Sequence, residues 1–343
     1  MTTSTEVSQE AIAAARVLLS QMGLSPADLV GSAAPAPTFA EIVPLVAATL
    51  SPGTLRTYNT HFTRLLNLWS DRRLDEVSKT DLEEQSRAVQ AGARRDRRSG
   101  TGSSAAEHFV TATRCVYRYA EDKGWIRPAD NPARQVAVPL RRTSNRYAIP
   151  SHRLAEINRA VVDTSDDPEL DCLLIRLHTE TACRVGGVLA LRPIDLDPDQ
   201  CLLYLREKGC SDRWQPVSPT MMRHLLQHAH DRHAPAHGQL LRYSSGRPIT
   251  RRRYDTLWAR VGVELPWVAV QGITTHWLRH TTLTWVERTY SYAIAHAFAG
   301  HRDGKGGSVT ATYVKASLLE IATAVAVLTG EPHPLVSAHT DQR

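Results

Sequence analysis

One stretch of this 343-residue chain breaks the rhythm of the rest. "CLLYLREKGCSDRWQPVSP", residues 201–219, alternates apolar and polar side chains, contains Leu, Tyr, Trp and Val, and turns around Gly209. That pattern predicts a β-hairpin. Almost everywhere else apolar residues recur at helical spacing. A single hairpin within helical periodicity leaves a mainly α fold that carries a small antiparallel hairpin or sheet.

The helical pattern is interrupted twice. Residues 6 to 22 have helical period and are followed by "SAAPAPT", a Pro/Ala linker, so 1–37 reads as an extension and linker. From 38 to 138 the pattern is helical almost throughout. "SPGTLRTYNTHFTRLLNLWSD" opens with Ser51 as cap and Pro52 in the first turn, and Leu55, Tyr58, Phe62, Leu65, Leu66 and Trp69 form one stripe. "SKTDLEEQSRAV" is a second capped helix, "RRDRRSGTGSS" a basic, flexible loop, and "AAEHFVTATRCVYRYAEDKGW" a third helix that stops near Gly124. "RPADNPARQVAVPLRRTSNRYAIP" lacks helical period and contains the second boundary, a linker at 139–149. A second domain then spans 150–330, with a flexible tail at 331–343. Two domains also suit the length.

Composition narrows the class only modestly. A net charge of +6 leans towards a polyanionic partner. Five cysteines without a CxxC pair predict reduced thiols, neither a disulfide frame nor a zinc knuckle. No apolar run approaches membrane length, and "MTTSTEVSQEAIAAA" has no basic region followed by an apolar core. A soluble, cytoplasmic protein is the expectation.

Chemistry-bearing residues gather in the second domain. "HWLRHTTLTWVERTY" places His276, Arg279 and His280 at i, i+3 and i+4, on one helix face. Arg184 lies near a helix start in "TETACRVGGVLALRPIDLD", and Lys208 lies at the hairpin tip. "AFAGHRDGKGGSVTATYVKAS" supplies His301 and then Tyr313. Arginines offer planar, bidentate donors to phosphate oxygens. A tyrosine oxygen can attack phosphorus in line and store the bond energy as a phosphotyrosine. Two arginines, a lysine, two histidines and a late tyrosine therefore suit phosphoryl transfer on a phosphodiester.

In this order the motifs resemble the tyrosine recombinase, or phage integrase, family, over about residues 38–328. "TACRVGGVLALRPIDL" is similar to its first arginine box, "REKGCSDRWQPV" to its hairpin lysine motif, and "HWLRHTTLTWV" to its His-x-x-Arg-His box. "AGHRD" is similar to its Gly-His box and "TATYVKA" to its nucleophile box. The resemblance implies a two-domain DNA clamp, with a helical core-binding (SAM-like) domain at 38–138 and a catalytic domain at 150–330. It implies Tyr313 as nucleophile and Arg184 and Arg279 as charge neutralisers. His301 would donate a hydrogen bond, Lys208 would protonate the leaving 5′-oxygen, and His276 would accept or fix the tyrosine proton. Energy kept in the ester implies no nucleotide, metal or other cofactor. The implied partners are double-stranded DNA at specific recombination sites and a homo-tetramer on that DNA, with an accessory DNA-bending protein left open. Phosphate contacts are expected from Arg94, Arg95, Arg97, Arg98, Arg141, Arg142, Arg251 and Arg252.

Two departures stand out. Three positions after the first arginine, where the family has an acidic residue that helps hold the active-site histidine, this chain has Gly187. The segment between His301 and Tyr313 is longer than usual and carries Gly304, Gly306 and Gly307, which would let the tyrosine move. Blander readings stand beside these. A lone arginine is by default on the surface, a turn lysine solvated, and "RRDRR" a solvated loop; His276 and His280 could bind zinc, but without an HExxH motif. Tyr290 and Tyr292 precede the Gly-His box and read as packing residues. The apolar segment "SLLEIATAVAVLTG" after the nucleophile is expected to leave its subunit and dock on the next. A type IB topoisomerase-like relaxing enzyme and a catalytically inert DNA-binding relative remain as rivals.

Overall fold

The computed structural model describes residues 8–23, 35–93, 102–140, 146–207, 212–301 and 316–340. The chain divides into two compact units, Met1–Thr143 and Ser144–Arg343. It is mostly helical, with one three-stranded antiparallel sheet among the described residues.

In the first unit, α1 (Gln9–Gln21) is followed by α2 (Phe39–Thr49), α3 (Pro52–Trp69), α4 (Lys79–Gly92), α5 (Ser103–Asp122) and the short α6 (Pro132–Gln135). The helix starts follow local chemistry. Thr38 Oγ1 accepts from the Glu41 N–H while the Glu41 carboxylate accepts the Thr38 N–H, at 2.8 Å. Ser78 and Asp81 repeat this reciprocal arrangement at α4, and Ser51 caps α3. The α3 stripe turns inward as its spacing predicts, with Phe62, Leu65 and Trp69 buried and Leu55, Tyr58 and Leu66 packed beside them. Helix α5 buries Phe109, Val110, Val116 and Tyr117, and the Tyr117 hydroxyl donates to the Leu74 carbonyl at 3.0 Å. The segment after Gly124, expected to lack helix, forms a 3-10 turn at Pro128–Asp130 and then α6. Asn131 caps α6, and Arg114 on α5 donates to the carbonyls of Ala133 (3.0 Å) and Val136 (2.7 Å). Four helical residues are too few for a periodicity to register, which is why the sequence hides them.

The second unit starts with α7 (Ser151–Thr164) and α8 (Pro168–Thr181), followed by the short α9 (Val185–Leu189). Next come β1 (Leu196–Asp197), β2 (Leu202–Leu205) and β3 (Arg213–Pro216), paired in that order, with Leu203 opposite Gln215 and Leu205 opposite Arg213. The hairpin therefore gains a third, two-residue strand that its own alternation does not announce. Helices α10 (Pro219–Asp231), α11 (Arg251–Glu264), α12 (Pro266–Gln271), α13 (Thr275–Thr289), α14 (Tyr292–Phe298), α15 (Leu318–Thr329) and α16 (Pro334–Thr340) complete it. Helix α8 is the axis: α7, α10, α13 and α15 all pack on it. Its Leu170, Leu174, Leu177 and Thr181 are buried, and Thr282 of α13 donates to the Thr179 carbonyl at 2.7 Å.

Helix α15, expected to dock on a neighbouring subunit, packs on its own chain in this single-chain structure: Ile321, Ala324 and Val325 are buried against Ala182, Val286, Ala295 and Phe298. The small residues at 322, 324 and 326 let two sides of the helix approach neighbours, so more apolar surface is absorbed at home than a single stripe suggests. Just beyond it, Glu331 accepts from the Thr220 N–H and from Arg176, both at 3.0 Å.

Candidate active site

The site grows from the turn between α8 and α9. Helix α8 ends at Ala182, which has φ 49°. That left-handed conformation is strained for a residue with a Cβ. Its carbonyl accepts a hydrogen bond from Arg279 Nη1. The turn places Arg184 at the N-cap of α9, half-exposed.

Arg279 comes from α13 and points inward, 4% exposed. Besides the Ala182 carbonyl, its Nη2 donates to the Ala299 carbonyl at 2.8 Å and lies 3.2 Å from His301 Nε2. Burial, followed by the charge of Arg184, pulls this guanidinium down to about 10, so it remains a cation at neutral pH. Among the described residues it has no carboxylate partner in an ion pair, an uncommon state for a buried charge.

A guanidinium can only donate, so the His301 Nε2 it faces is an acceptor and the neutral ring carries its proton on Nδ1. Burial and then Arg279 hold His301 below the ordinary histidine range. The rings of His296 and His301 meet edge to face at 5.2 Å. His276 sits one turn before Arg279 on α13, exposed. It too is held low, first by partial desolvation and then by Arg146, Arg279, His280 and Arg184. On their shared face of α13, Arg279 is buried and His276 exposed.

Two charged residues of the site went unread in the sequence. Glu207 follows β2 and is buried, accepting from the Arg184 N–H, from Arg184 Nη1 at 2.8 Å and from Arg213 Nη1 at 2.8 Å. Burial would raise its pKa; Arg213, the Arg184 N–H and Arg184 outweigh that and hold it below the ordinary carboxylate range. Arg213 opens β3, bonds Gln215 through Nε at 3.2 Å, and lies where a Cβ on Gly300 would stand. The signal for both was strand parity: Leu203, Leu205 and Glu207 share one face, and Arg213 is registered opposite Leu205.

Arg184, Arg279 and His301 are therefore brought together, with His276 within their electrostatic reach. Glu207 pairs with Arg184 and Arg213, while Arg279 has no such partner among the described residues, so the three guanidiniums leave an excess of positive charge. Lys208 and Tyr313 lie outside the described residues, as do Arg94, Arg95, Arg97, Arg98, Arg141 and Arg142. Arg251 and Arg252 are exposed at the start of α11, whereas Arg253 turns inward to Asp171 at 2.7 Å. Tyr290 packs in the α13–α15 cluster, but Tyr292, expected to pack, is 70% exposed, with its ring against His296.

Comparison with known proteins agrees with this architecture. Residues 149–318 match the model of the phage integrase family. No curated protein matches the sequence. Among solved structures, a lambda integrase tetramer bound to a Holliday junction is similar at TM-score 0.61 and 15% identity, covering 88% of each chain. A lambda integrase dimer bound to a COC′ core site gives 0.61 and 15%, covering 90% of this chain and 85% of that one. The Tn1549 transposon integrase in complex with a circular intermediate DNA gives 0.60 and 14%, over 89% and 99%. Likeness at this identity speaks for the fold, and the family match covers the unit that holds the arginines. Residues 149–318 are a domain of the phage integrase family.

Proposed function

We propose that the protein is a site-specific DNA recombinase that cuts and rejoins strands through a 3′-phosphotyrosine intermediate. The observation that carries this reading is Arg279: a buried cation with no carboxylate partner among the described residues, beside Arg184 and His301, in an integrase-family domain. Such a group suits an anion from outside the chain, and a scissile phosphate supplies one.

In this reading Tyr313 attacks the phosphorus and releases a 5′-hydroxyl. Arg184 and Arg279 offset charge on the pentavalent transition state. His301, neutral and protonated on Nδ1, has that N–H left for a phosphate oxygen. His276, also held neutral at pH 7, is in the right form to accept the tyrosine proton. Lys208 protonates the leaving oxygen. Residues 38–138 act as the core-binding domain and 150–330 as the catalytic domain, joined by 139–149. The working assembly is four protomers on two duplex sites, since each site cuts one strand. Lambda integrase, a structural neighbour, has been seen as a tetramer on a Holliday junction.

Covalent trapping on a nicked duplex tests the proposal. The wild-type chain is expected to form an adduct that survives denaturation, and Tyr313→Phe none, with duplex binding retained. An adduct from the Phe variant would move the nucleophile to Tyr290 or the exposed Tyr292. A wild-type chain that binds DNA but never attaches to it would leave the inert DNA-binding reading. A two-site recombination assay separates exchange from simple relaxation.

A further inference from the structure

Every helix N-terminus leaves backbone N–H groups in want of an acceptor, and at five helical starts this chain meets the N-cap N–H in the same way. An acid three residues on reaches back to it: Glu41 to Thr38, Glu76 to Arg73, Asp81 to Ser78, Asp195 to Arg192 and Glu320 to Ser317. At α9 the N-cap is Arg184 and the third position is Gly187, which has no side chain to offer. The Arg184 N–H is instead met by Glu207, arriving from the end of β2. The two positions compete for one space. A Cβ on Gly187 would stand 3.0 Å from Glu207 Cγ and 3.2 Å from its Oε1.

We propose that Glu207 is the positioning carboxylate of the active site, delivered by the hairpin in place of an acid at position 187, and that Gly187 is the room it requires. The proposal rests on the recombinase reading above. Glu207 does two things at once. One oxygen holds the Arg184 backbone, and the other holds the Arg184 and Arg213 guanidiniums. A carboxylate on α9 would fix Arg184 alone. A carboxylate on the hairpin also ties the arginine to Arg213 at the start of β3, so the placement of two guanidiniums depends on one buried carboxylate. Because its charge is shared by two arginines, it orients them without neutralising the site.

The test uses the full chain as wild type, Glu207→Ser, Gly187→Glu and the double variant, with adduct formation on a nicked duplex and equilibrium binding of that duplex as readouts. Misplacing Arg184 by about an ångström is expected to slow adduct formation about 10- to 100-fold in Glu207→Ser. Binding should stay within about 3-fold, because most phosphate contacts are untouched. Gly187→Glu crowds two carboxylates into one space and is slow too. The double variant, able to form the reach-back seen at the other helices, is expected to recover at least about ten-fold over either single. A double variant no faster than the singles overturns the proposal, as does a Glu207→Ser rate within about two-fold of wild type.

A second measurement needs no chemistry. Alanine favours helix over glycine, so Gly187→Ala should raise the melting temperature in the Glu207→Ser background. It should raise it by at least about 2 °C less, or lower it, when Glu207 is present. Equal shifts in both backgrounds would show that the residues do not share space. A wild-type chain that forms no adduct overturns the recombinase reading and the catalytic half of this proposal, while the melting pair still judges the geometry.

Discussion

In the N-terminal unit the large buried side chains are hydrocarbon or aromatic, among them Phe39, Leu65, Phe109 and Tyr117. Its buried polar residues, His61, Ser86, Thr113 and Asn131, carry no charge at neutral pH, His61 being held low by burial and then by His108 and Arg64. The C-terminal unit buries Asp171, Glu180, Asp195, Glu207, Arg253 and Arg279 as well as apolar clusters. Stability alone does not ask for this, because a buried ion pair rarely outperforms packed hydrocarbon of the same volume. The contrast teaches where chemistry is housed. One unit is a packed helical scaffold that, among the described residues, has no charged residue in its buried core, and the other accepts desolvated charges to fix the direction of a few donors.

Arg279→Ala should break the second unit hardest. Three hydrogen bonds disappear, two of them to carbonyls that shape the strained Ala182 turn and the approach to His301. Adduct formation is expected to fall by about a thousand-fold, the scale of losing a preorganised transition-state donor. Hydrogen exchange should show weakened protection around α8, α13 and α14, with α2–α5 unchanged. Arg279→Lys keeps the charge but not the fork, and should recover less than a tenth of the lost rate.

Acid should separate the units next. Burial is the leading reason that the His178 and His228 rings, both in the second unit, are lowered to about 4. Between about pH 6.5 and 4 the unfolded chain takes up protons that these folded rings refuse. Stability is therefore fully present above pH 6.5 and lost as pH falls towards 4, on the order of 2–3 kcal/mol for each ring. Exchange measured at pH 7, 5.5 and 4.5 should show the second unit loosening ahead of the first. Equal loss in both would refute the contrast in buried charge.

Smaller changes sharpen it. Ser78→Ala removes an N-cap in the first unit and should cost about 1 kcal/mol, read as a lower melting temperature, without altering the cleavage rate on saturating DNA. Arg251→Ala and Arg252→Ala remove exposed cations from the positive end of the α11 dipole, where they do not help the helix. Each should weaken DNA binding a few-fold and flatten the logarithmic salt slope by about one, with no change in melting. An unchanged slope would remove them from the phosphate contacts.

Much of this protein was decided by the sequence alone, because helices and hairpins are local. Ser51 and Ser78 start helices within three residues of themselves, the α3 stripe follows from the period, and Leu, Tyr and Trp alternation marks the hairpin. The ordered motifs named the family because their residue types carry one chemistry. What the sequence left out is non-local. Glu207 meets Arg184 across 23 positions and Arg279 meets Ala182 across 97, distances over which no periodicity operates. The apolar surplus of α15 pointed to a neighbouring subunit, yet tertiary packing found it partners on α8, α14 and β3. Gly187 reads in sequence as a missing acid, and only folding shows the Glu207 carboxylate packed against it. Backbone hydrogen bonds and caps are satisfied by near neighbours, whereas a buried charge takes its partner from whatever element the fold brings within three ångströms.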